Sequence, residues 1–264
     1  MKLVIKIGGA AGEDRKTRLG LARQIAQLRR GGADVVVVHG GGERLTQTLR
    51  RLGIAAEFAD GLRVTDRETR DVALMVLAGI VNKQWVAEIE MQGQPALGIC
   101  GGDGRLMEAR KLLLRKGKQV RDLGYVGRPI QVNTALLEMA FERSMVPVVA
   151  SMALGPKSEY YNVNADDFAA ALASRLEADR LIYLTESGGV WDARQRLLPK
   201  VAASEIADMI RKGVVRDGMI PKLRSCQRVL AGAVREIDII SGKAPAGILE
   251  LLNGRRGEGT RIVK

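Results

Sequence analysis

Two lysines stand where a lysine is hard to accommodate. Lys6 lies inside the apolar stretch Leu3–Ile7, just ahead of Gly8-Gly9, and a buried lysine is costly unless an anion pairs with it. Lys222 follows Asp217-Gly218-Met219-Ile220-Pro221 in the first turn of a helical stretch, where a cation opposes the helix dipole. Taken alone, each also fits a bland role: a snorkelling strand-edge lysine, or a solvent-facing helix residue on a basic chain. Glycines make the surroundings less bland. Val35–Gly42 reads Val-Val-Val-Val-His-Gly-Gly-Gly, a β-branched run followed by a glycine turn and the helical pattern of Glu43–Leu52. Strand, glycine turn, helix N-terminus offers backbone N–H groups and a positive dipole end to an anion. Similar turns occur at Gly8-Gly9, at Gly101-Gly102-Asp103-Gly104 and at Thr185-Glu186-Ser187-Gly188-Gly189. Four such turns suggest a phosphate-rich ligand along one sheet edge.

The common nucleotide signatures are absent: no GxxxxGK[ST], no GxGxxG after a strand and no HRD or DFG set. The sole histidine, His39, sits at a predicted buried strand end, which argues against histidine-based nucleophilic or metal chemistry. Phosphoryl transfer fits what remains, because backbone donors, lysines and Mg²⁺ can carry it.

The elements that must position these residues alternate between strand and helix. Lys2–Ile7, a helix over Arg15–Arg30 with Leu21, Ile25 and Leu28 on one face, and the Val35 strand make a βαβ unit. Its right-handed crossover makes the strands parallel and opens both glycine turns at one edge. A long helix is expected from Arg67 to about Met91, buried or in a subunit contact through Val72–Val81. Strands are expected at Ala96–Cys100, Val146–Ala150, Leu181–Leu184 and Ile237–Ile240, and Gly257-Glu258-Gly259-Thr260 precedes the closing Arg261–Val263. Lys111–Ile130 reads as one or two exposed hairpins, and helices as Thr134–Met145, Asp167–Leu176, Ala202–Lys212 and Met219–Ala233. The expected fold class is α/β, doubly wound about a mostly parallel central sheet. Two lobes sharing that sheet are expected, residues 1–154 and 155–264.

At 264 residues, with 46% hydrophobic and 27% charged residues, the chain has the composition of a soluble globular protein. No apolar run reaches the length of a membrane span, and the N-terminus does not read as a signal peptide. Cys100 and Cys226 have no CxxC spacing and read as buried thiols in a reducing, cytoplasmic compartment. A net charge of +12 suits a nucleic-acid protein or an enzyme of polyanionic substrates, but 3% aromatics is too few for a base-stacking surface.

As a whole the pattern resembles the amino-acid kinase family across nearly the full chain, and within it the members that phosphorylate N-acetyl-L-glutamate. The residues that carry the resemblance are Lys6-Ile7-Gly8-Gly9, His39-Gly40-Gly41-Gly42, Gly61-Leu62-Arg63-Val64-Thr65, Asp122-Leu123-Gly124-Tyr125-Val126-Gly127, Asn162-Val163-Asn164-Ala165-Asp166, Asp217-Gly218-Met219-Ile220-Pro221-Lys222 and Gly259-Thr260-Arg261-Ile262. The resemblance implies an open αβα sandwich whose N-terminal lobe holds the acyl amino acid and whose C-terminal lobe holds ATP with Mg²⁺ as co-substrate. It implies that Lys6 and Lys222 neutralise charge on the moving phosphoryl group and that Asp166 positions both. Gly8, Gly9, Gly41 and Gly42 would donate N–H groups to phosphate and to the accepting carboxylate. Arg63 would hold the substrate α-carboxylate as a bidentate fork, and Asn162 would hydrogen-bond the same substrate. Thr185, Gly188 and Gly189, with Asp217, Gly218 and Met219, would shape the nucleotide pocket. No protein metal ligands are expected.

Two departures keep a rival open. The nucleotide turn reads Thr-Glu-Ser-Gly-Gly where relatives more often show Asp and Pro. The first glycine turn continues Ala10-Ala11-Gly12, as in kinases of a carrier-bound aminoadipate, whose carrier protein is acidic. A non-catalytic ligand sensor or nucleic-acid binder on the same fold is the rival of another class, and two converging cations argue against it. A homodimer through the Val72–Val81 helix is expected. Inhibition by arginine is not, because the first strand begins at Lys2 with no helix ahead of it.

Overall fold

The computed structural model describes residues 1–12, 14–117, 119–215, 219–243, 247–254 and 259–264. β1 (Lys2–Ile7), α1 (Arg15–Arg30) and β2 (Asp34–His39) form the expected βαβ unit, with Lys6 opposite Val38 in a parallel ladder. The Asp14 side chain starts α1 by accepting from the Thr17 N–H at 2.7 Å, and Leu21, Ile25 and Leu28 face the core. α2 (Gly42–Arg51) follows directly on the second glycine turn, and β3 (Phe58–Ala59) and β4 (Leu62–Arg63) make a very short hairpin.

α3 (Arg67–Ala73), a π-helical stretch at Leu74–Val81 and α4 (Asn82–Glu90) run on as one helix of 24 residues. By length and apolarity this helix could cross a membrane, yet its inner face packs on the sheet through Val76, Leu77, Val81 and Trp85. β5 (Ala96–Cys100) leads into a single long hairpin of β6 (Met107–Lys116) and β7 (Gln119–Val132). After α5 (Ala135–Glu142) and β8 (Val146–Ala150), β9 (Met152–Leu154) and β10 (Tyr160–Val163) close a small barrel with that hairpin. Leu123 and Val126 are therefore buried, so the basic hairpin is half core and half surface. α6 (Ala165–Leu176), β11 (Arg180–Thr185), β12 (Lys200–Ala202), α7 (Ile206–Arg211), α8 (Met219–Leu230), β13 (Glu236–Ser241), α9 (Gly247–Leu252) and β14 (Gly259–Val263) complete the chain.

The main sheet has the order β12-β14-β13-β11-β1-β2-β8-β5, and only the β13–β14 pair is antiparallel. Strand alternation assigns side chains to two layers. Leu3, Ile5, Val35 and Val37 pack with Ile25, Leu45 and Trp85, while Val4, Val36 and Val38 pack with Phe168, Leu172 and Leu223. Lys6 belongs to the second set by parity, which turns it toward α6 and α8.

Candidate active site

Parity brings Lys6 to the first turn of α6. The Asn164 side chain caps that helix, accepting from the Asp166 N–H at 2.8 Å and the Asp167 N–H at 3.4 Å. Asp166 is thereby fixed at a helix N-terminus, where the dipole favours a carboxylate. Lys6 Nζ lies 2.8 Å from Asp166 Oδ1, and Lys222 Nζ pairs with Asp166 Oδ2. One carboxylate thus holds two ammonium groups that come from β1 and α8. Their side chains keep 12%, 21% and 10% of their surface in the order Lys6, Asp166, Lys222, enough for a phosphate to approach but little for water to screen. Burial alone would raise the Asp166 carboxyl, but the Lys6 and Lys222 charges outweigh it and hold it down at about 2. Burial pushes the Lys222 ammonium below the ordinary lysine range despite the pull of Asp166.

Lys6, Asp166, Gly8, Gly9, Gly41, Gly42, Arg63 and Asn162 line one cavity of about 250 Å³. The glycines in it differ in role. A Cβ on Gly8 would run into Lys6 Nζ, so this glycine clears the space for the ammonium. Its N–H already donates to Leu184 O at 3.2 Å, continuing the β1–β11 ladder, and is not free for phosphate as the sequence suggested. Gly41 has φ of 142°, and a Cβ there would lie 2.8 Å from Leu77 of the long helix. No side chain caps α2 at this turn. A larger hollow of about 640 Å³ adjoins the same turns, lined by Trp85, Glu43 and Glu186 among others.

Arg63 is buried at the end of the β3–β4 hairpin, with its guanidinium 4.6 Å from the Phe58 ring centroid. Its Nη2 donates to Gly42 O at 3.1 Å and Thr46 Oγ1 at 2.7 Å, whereas its Nη1 is buried with no hydrogen-bond partner. A buried unpaired guanidinium nitrogen is costly to leave bare, so its placement beside a cavity points to an anionic ligand there. Burial lowers the Arg63 pKa, and the nearby Glu43 charge opposes that. Asn162 Nδ2 reaches Thr65 Oγ1 at 3.4 Å, and Thr65 Oγ1 donates to Arg63 O at 2.9 Å. Thr65 is the buried link between the two expected substrate residues, a role not read from the sequence.

His39 is buried at the end of β2. Its Nδ1 faces Gly40 O at 2.8 Å and so carries the proton, leaving Nε2 to accept from Asn82 Nδ2 at 3.1 Å. Desolvation lowers its pKa to about 4, and the ring is a neutral brace of the glycine turn.

The remaining expected residues lie apart. Thr185 and Gly188 shape their own turn: Thr185 Oγ1 accepts from the Gly188 N–H at 3.1 Å. A Cβ on Gly189 would crowd Leu197 and Thr260 Oγ1, and Thr260 in turn bonds the Val190 N–H at 2.7 Å. Gly189 and Met219 line a separate cavity of about 330 Å³, together with Trp191 and Val215. Trp191 there escaped the sequence reading. Asp217 and Gly218 lie outside the described residues. The Gly101–Gly104 turn does not join the site. β8 separates β5 from β2, and a Cβ at Gly101 or Gly102 would meet Met107 or Tyr160, so these glycines serve close packing. Among the described residues no three His, Cys, Asp or Glu side chains cluster as metal ligands.

The amino acid kinase family model matches residues 1–241, and the chain belongs to that family. It is 44% identical to the acetylglutamate kinase of Koribacter versatilis over 263 residues, covering 100% of this chain and 99% of that one. The acetylglutamate kinase of Bartonella quintana is 40% identical over 267 residues, covering 99% and 89%. Among solved structures, the N-acetylglutamate synthase of Neisseria gonorrhoeae with coenzyme A and N-acetyl-glutamate superposes with a TM-score of 0.87 at 26% identity, covering all of this chain and 59% of that one. Giardia carbamate kinase shares the fold, with a TM-score of 0.71 at 17% identity over 100% and 98% of the two chains.

Proposed function

We propose that this chain transfers the γ-phosphoryl group of ATP to the γ-carboxylate of N-acetyl-L-glutamate, giving N-acetyl-L-glutamyl 5-phosphate in arginine biosynthesis. The observation that carries the reading is the Asp166 carboxylate bridging Lys6 and Lys222 at the wall of the cavity that holds Arg63. The full-length likeness to acetylglutamate kinases supports the same substrate. A substrate carboxylate has an ordinary pKa near 4.3 and is ionised at neutral pH, so the nucleophile needs no general base. That suits a site whose histidine is buried and neutral and whose aspartate is held at about 2.

In this reading Arg63 grips the α-carboxylate, with Nη1 as the free prong, and Asn162 holds the acylamino end. Gly41 and Gly42 present the reacting carboxylate in line with the phosphorus. The lysines stabilise charge spreading over the phosphoryl oxygens, and Asp166 keeps them apart and aimed. Gly9 with the 185–189 turn flanks the phosphates, and Gly189, Trp191 and Met219 hold the base. Mg²⁺ would be held by the nucleotide phosphates and would neutralise their charge. Residues 1–154 supply the amino-acid lobe and residues 155–264 the nucleotide lobe, in a reducing cytoplasmic compartment. Met75 and Ile80, exposed on the outer face of the long helix, support a homodimer through that face, and light scattering at the monomer mass would contradict it.

ADP release with free N-acetylglutamate tests the function. The expected result is kcat/KM above roughly 10⁴ M⁻¹s⁻¹, with little change on adding salt. Negligible turnover of the free substrate, with rapid salt-sensitive turnover of an acidic carrier conjugate, would replace it.

A further inference from the structure

One carboxylate serves two ammonium groups, so the Lys6–Asp166–Lys222 cluster carries one uncompensated positive charge. The excess suits an incoming phosphate but leaves Lys222 poorly supported. Its side chain keeps only 10% of its surface, stands in the first turn of α8 and faces a second cation. The ring of Tyr183 lies under it, with Lys222 Nζ 4.6 Å from the centroid. Tyr183 is fully buried in β11, directly opposite Lys6 in the parallel β1–β11 ladder. Its hydroxyl donates to the Asp166 carbonyl oxygen at 3.3 Å. A single side chain therefore adjoins all three charged residues, and it does so from the buried centre of β11, Leu-Ile-Tyr-Leu, where the other three residues are aliphatic.

We infer that Tyr183 is a positioning residue for phosphoryl transfer, its ring face fixing the Lys222 ammonium and its hydroxyl tying down the first turn of α6. This inference rests on the kinase reading above. An aromatic face attracts a cation through its quadrupole and carries no net charge. A second carboxylate in its place would neutralise Lys222 equally well but repel the γ-phosphate. The ring supports the cation and leaves the field at the transfer point positive. Around Lys222 stand Asp166 and Asp167 of α6, Lys6 of β1, Cys226 one turn on in α8, and Tyr183. Burial keeps the Cys226 thiol neutral, pushed up to about 12, and keeps the Tyr183 phenol protonated, so neither adds negative charge near neutral pH.

The test compares Tyr183→Phe, Tyr183→Leu and site-specific phenylalanines bearing one to three ring fluorines, which keep the shape and weaken the quadrupole. In Tyr183→Leu, kcat should fall about tenfold, the size a desolvated cation–π contact carries, while both KM values stay within about twofold. The alkaline limb of kcat should move down by about one pH unit. Tyr183→Phe should keep the limb and lose about threefold in kcat, the hydroxyl's share. The fluorinated series should fall stepwise, and it settles the matter even if Tyr183→Leu does not fold. An activity-independent readout is the titration of the ¹³C-labelled lysine side chains, with Lys222 assigned through Lys222→Arg. Its pKa should fall along the same series. A flat series in both kcat and the Lys222 titration overturns the inference, as does a loss shared equally by kcat and both KM values. Failure of the wild-type chain to phosphorylate acetylglutamate would instead remove the kinase reading, with the Lys222 titration still reporting the ring contact.

Discussion

The proposed transfer centre and the proposed substrate grip share one cavity, yet they are built differently. At the transfer centre the charged groups are already paired inside the protein: Lys6 and Lys222 with Asp166, and Asp166 with the Asn164-capped end of α6. Its residues stand on β1, α6 and α8, elements fixed by two buried layers. At the grip, Arg63 keeps a buried nitrogen with no partner, and it stands on a hairpin of two-residue strands. That hairpin turns through positive φ at Asp60 (48°) and Gly61 (78°), and the Glu57–Arg121 ion pair pins it to the basic hairpin. The difference separates two tasks. Transition-state charge needs donors that do not reorganise, so they are held beforehand. Recognition needs an unmet bond that the ligand completes, and it is placed where the backbone can adjust.

The largest expected effect separates the two regions by kinetics. Lys6→Ala and Lys222→Ala should each lower kcat by at least about 10²-fold with little change in either KM, since the lost donor acts mainly in the transition state. Steady-state kinetics showing the loss in KM instead would place these lysines in ground-state binding.

The next effect concerns the brace beneath both regions. The folded His39 pKa of about 4 lies below its ordinary 6.5. A depressed pKa gives stability that is fully present above 6.5 and is lost as pH falls toward 4. Between pH 7 and 5 this linkage should cost wild type about 2 kcal/mol that a His39→Gln variant does not lose. Denaturant titrations at the two pH values check it, and equal losses in both proteins would contradict a neutral, buried ring.

Arg63→Lys tests the grip with a smaller effect. The charge stays but the planar fork goes, so KM for acetylglutamate should rise about tenfold with kcat and the KM for ATP little changed. A rise confined to the ATP KM would move Arg63 out of the amino-acid site.

The placement of Lys6 and Asp166 is more legible in the sequence than that of Arg63 and Asn162, for physical reasons. Parity along Leu3-Val4-Ile5-Lys6 assigns Lys6 to a layer, and Asn-x-Asp before an alanine-rich helix marks the capped turn that carries Asp166. What parity cannot give is register between distant strands, so the pairing of Tyr183 with Lys6 stayed hidden. The β3–β4 strands are too short for any periodicity, and the Thr65–Asn162 contact spans 97 residues. Glycine turns were over-read for a related cause. Their ligand meaning depends on strand order, which puts the Gly101 turn beyond β8, and on ladder ends, which consume the Gly8 N–H.

The most direct test of the account is to trap the product. An acyl phosphate reacts with hydroxylamine to give a hydroxamate and inorganic phosphate. Wild-type chain with ATP, Mg²⁺, acetylglutamate and hydroxylamine should yield one acetylglutamyl hydroxamate per ADP by mass spectrometry, and Lys222→Ala should yield almost none over the same time. ADP without hydroxamate, or an undiminished yield from Lys222→Ala, would contradict carboxyl phosphorylation by the Lys6–Asp166–Lys222 centre.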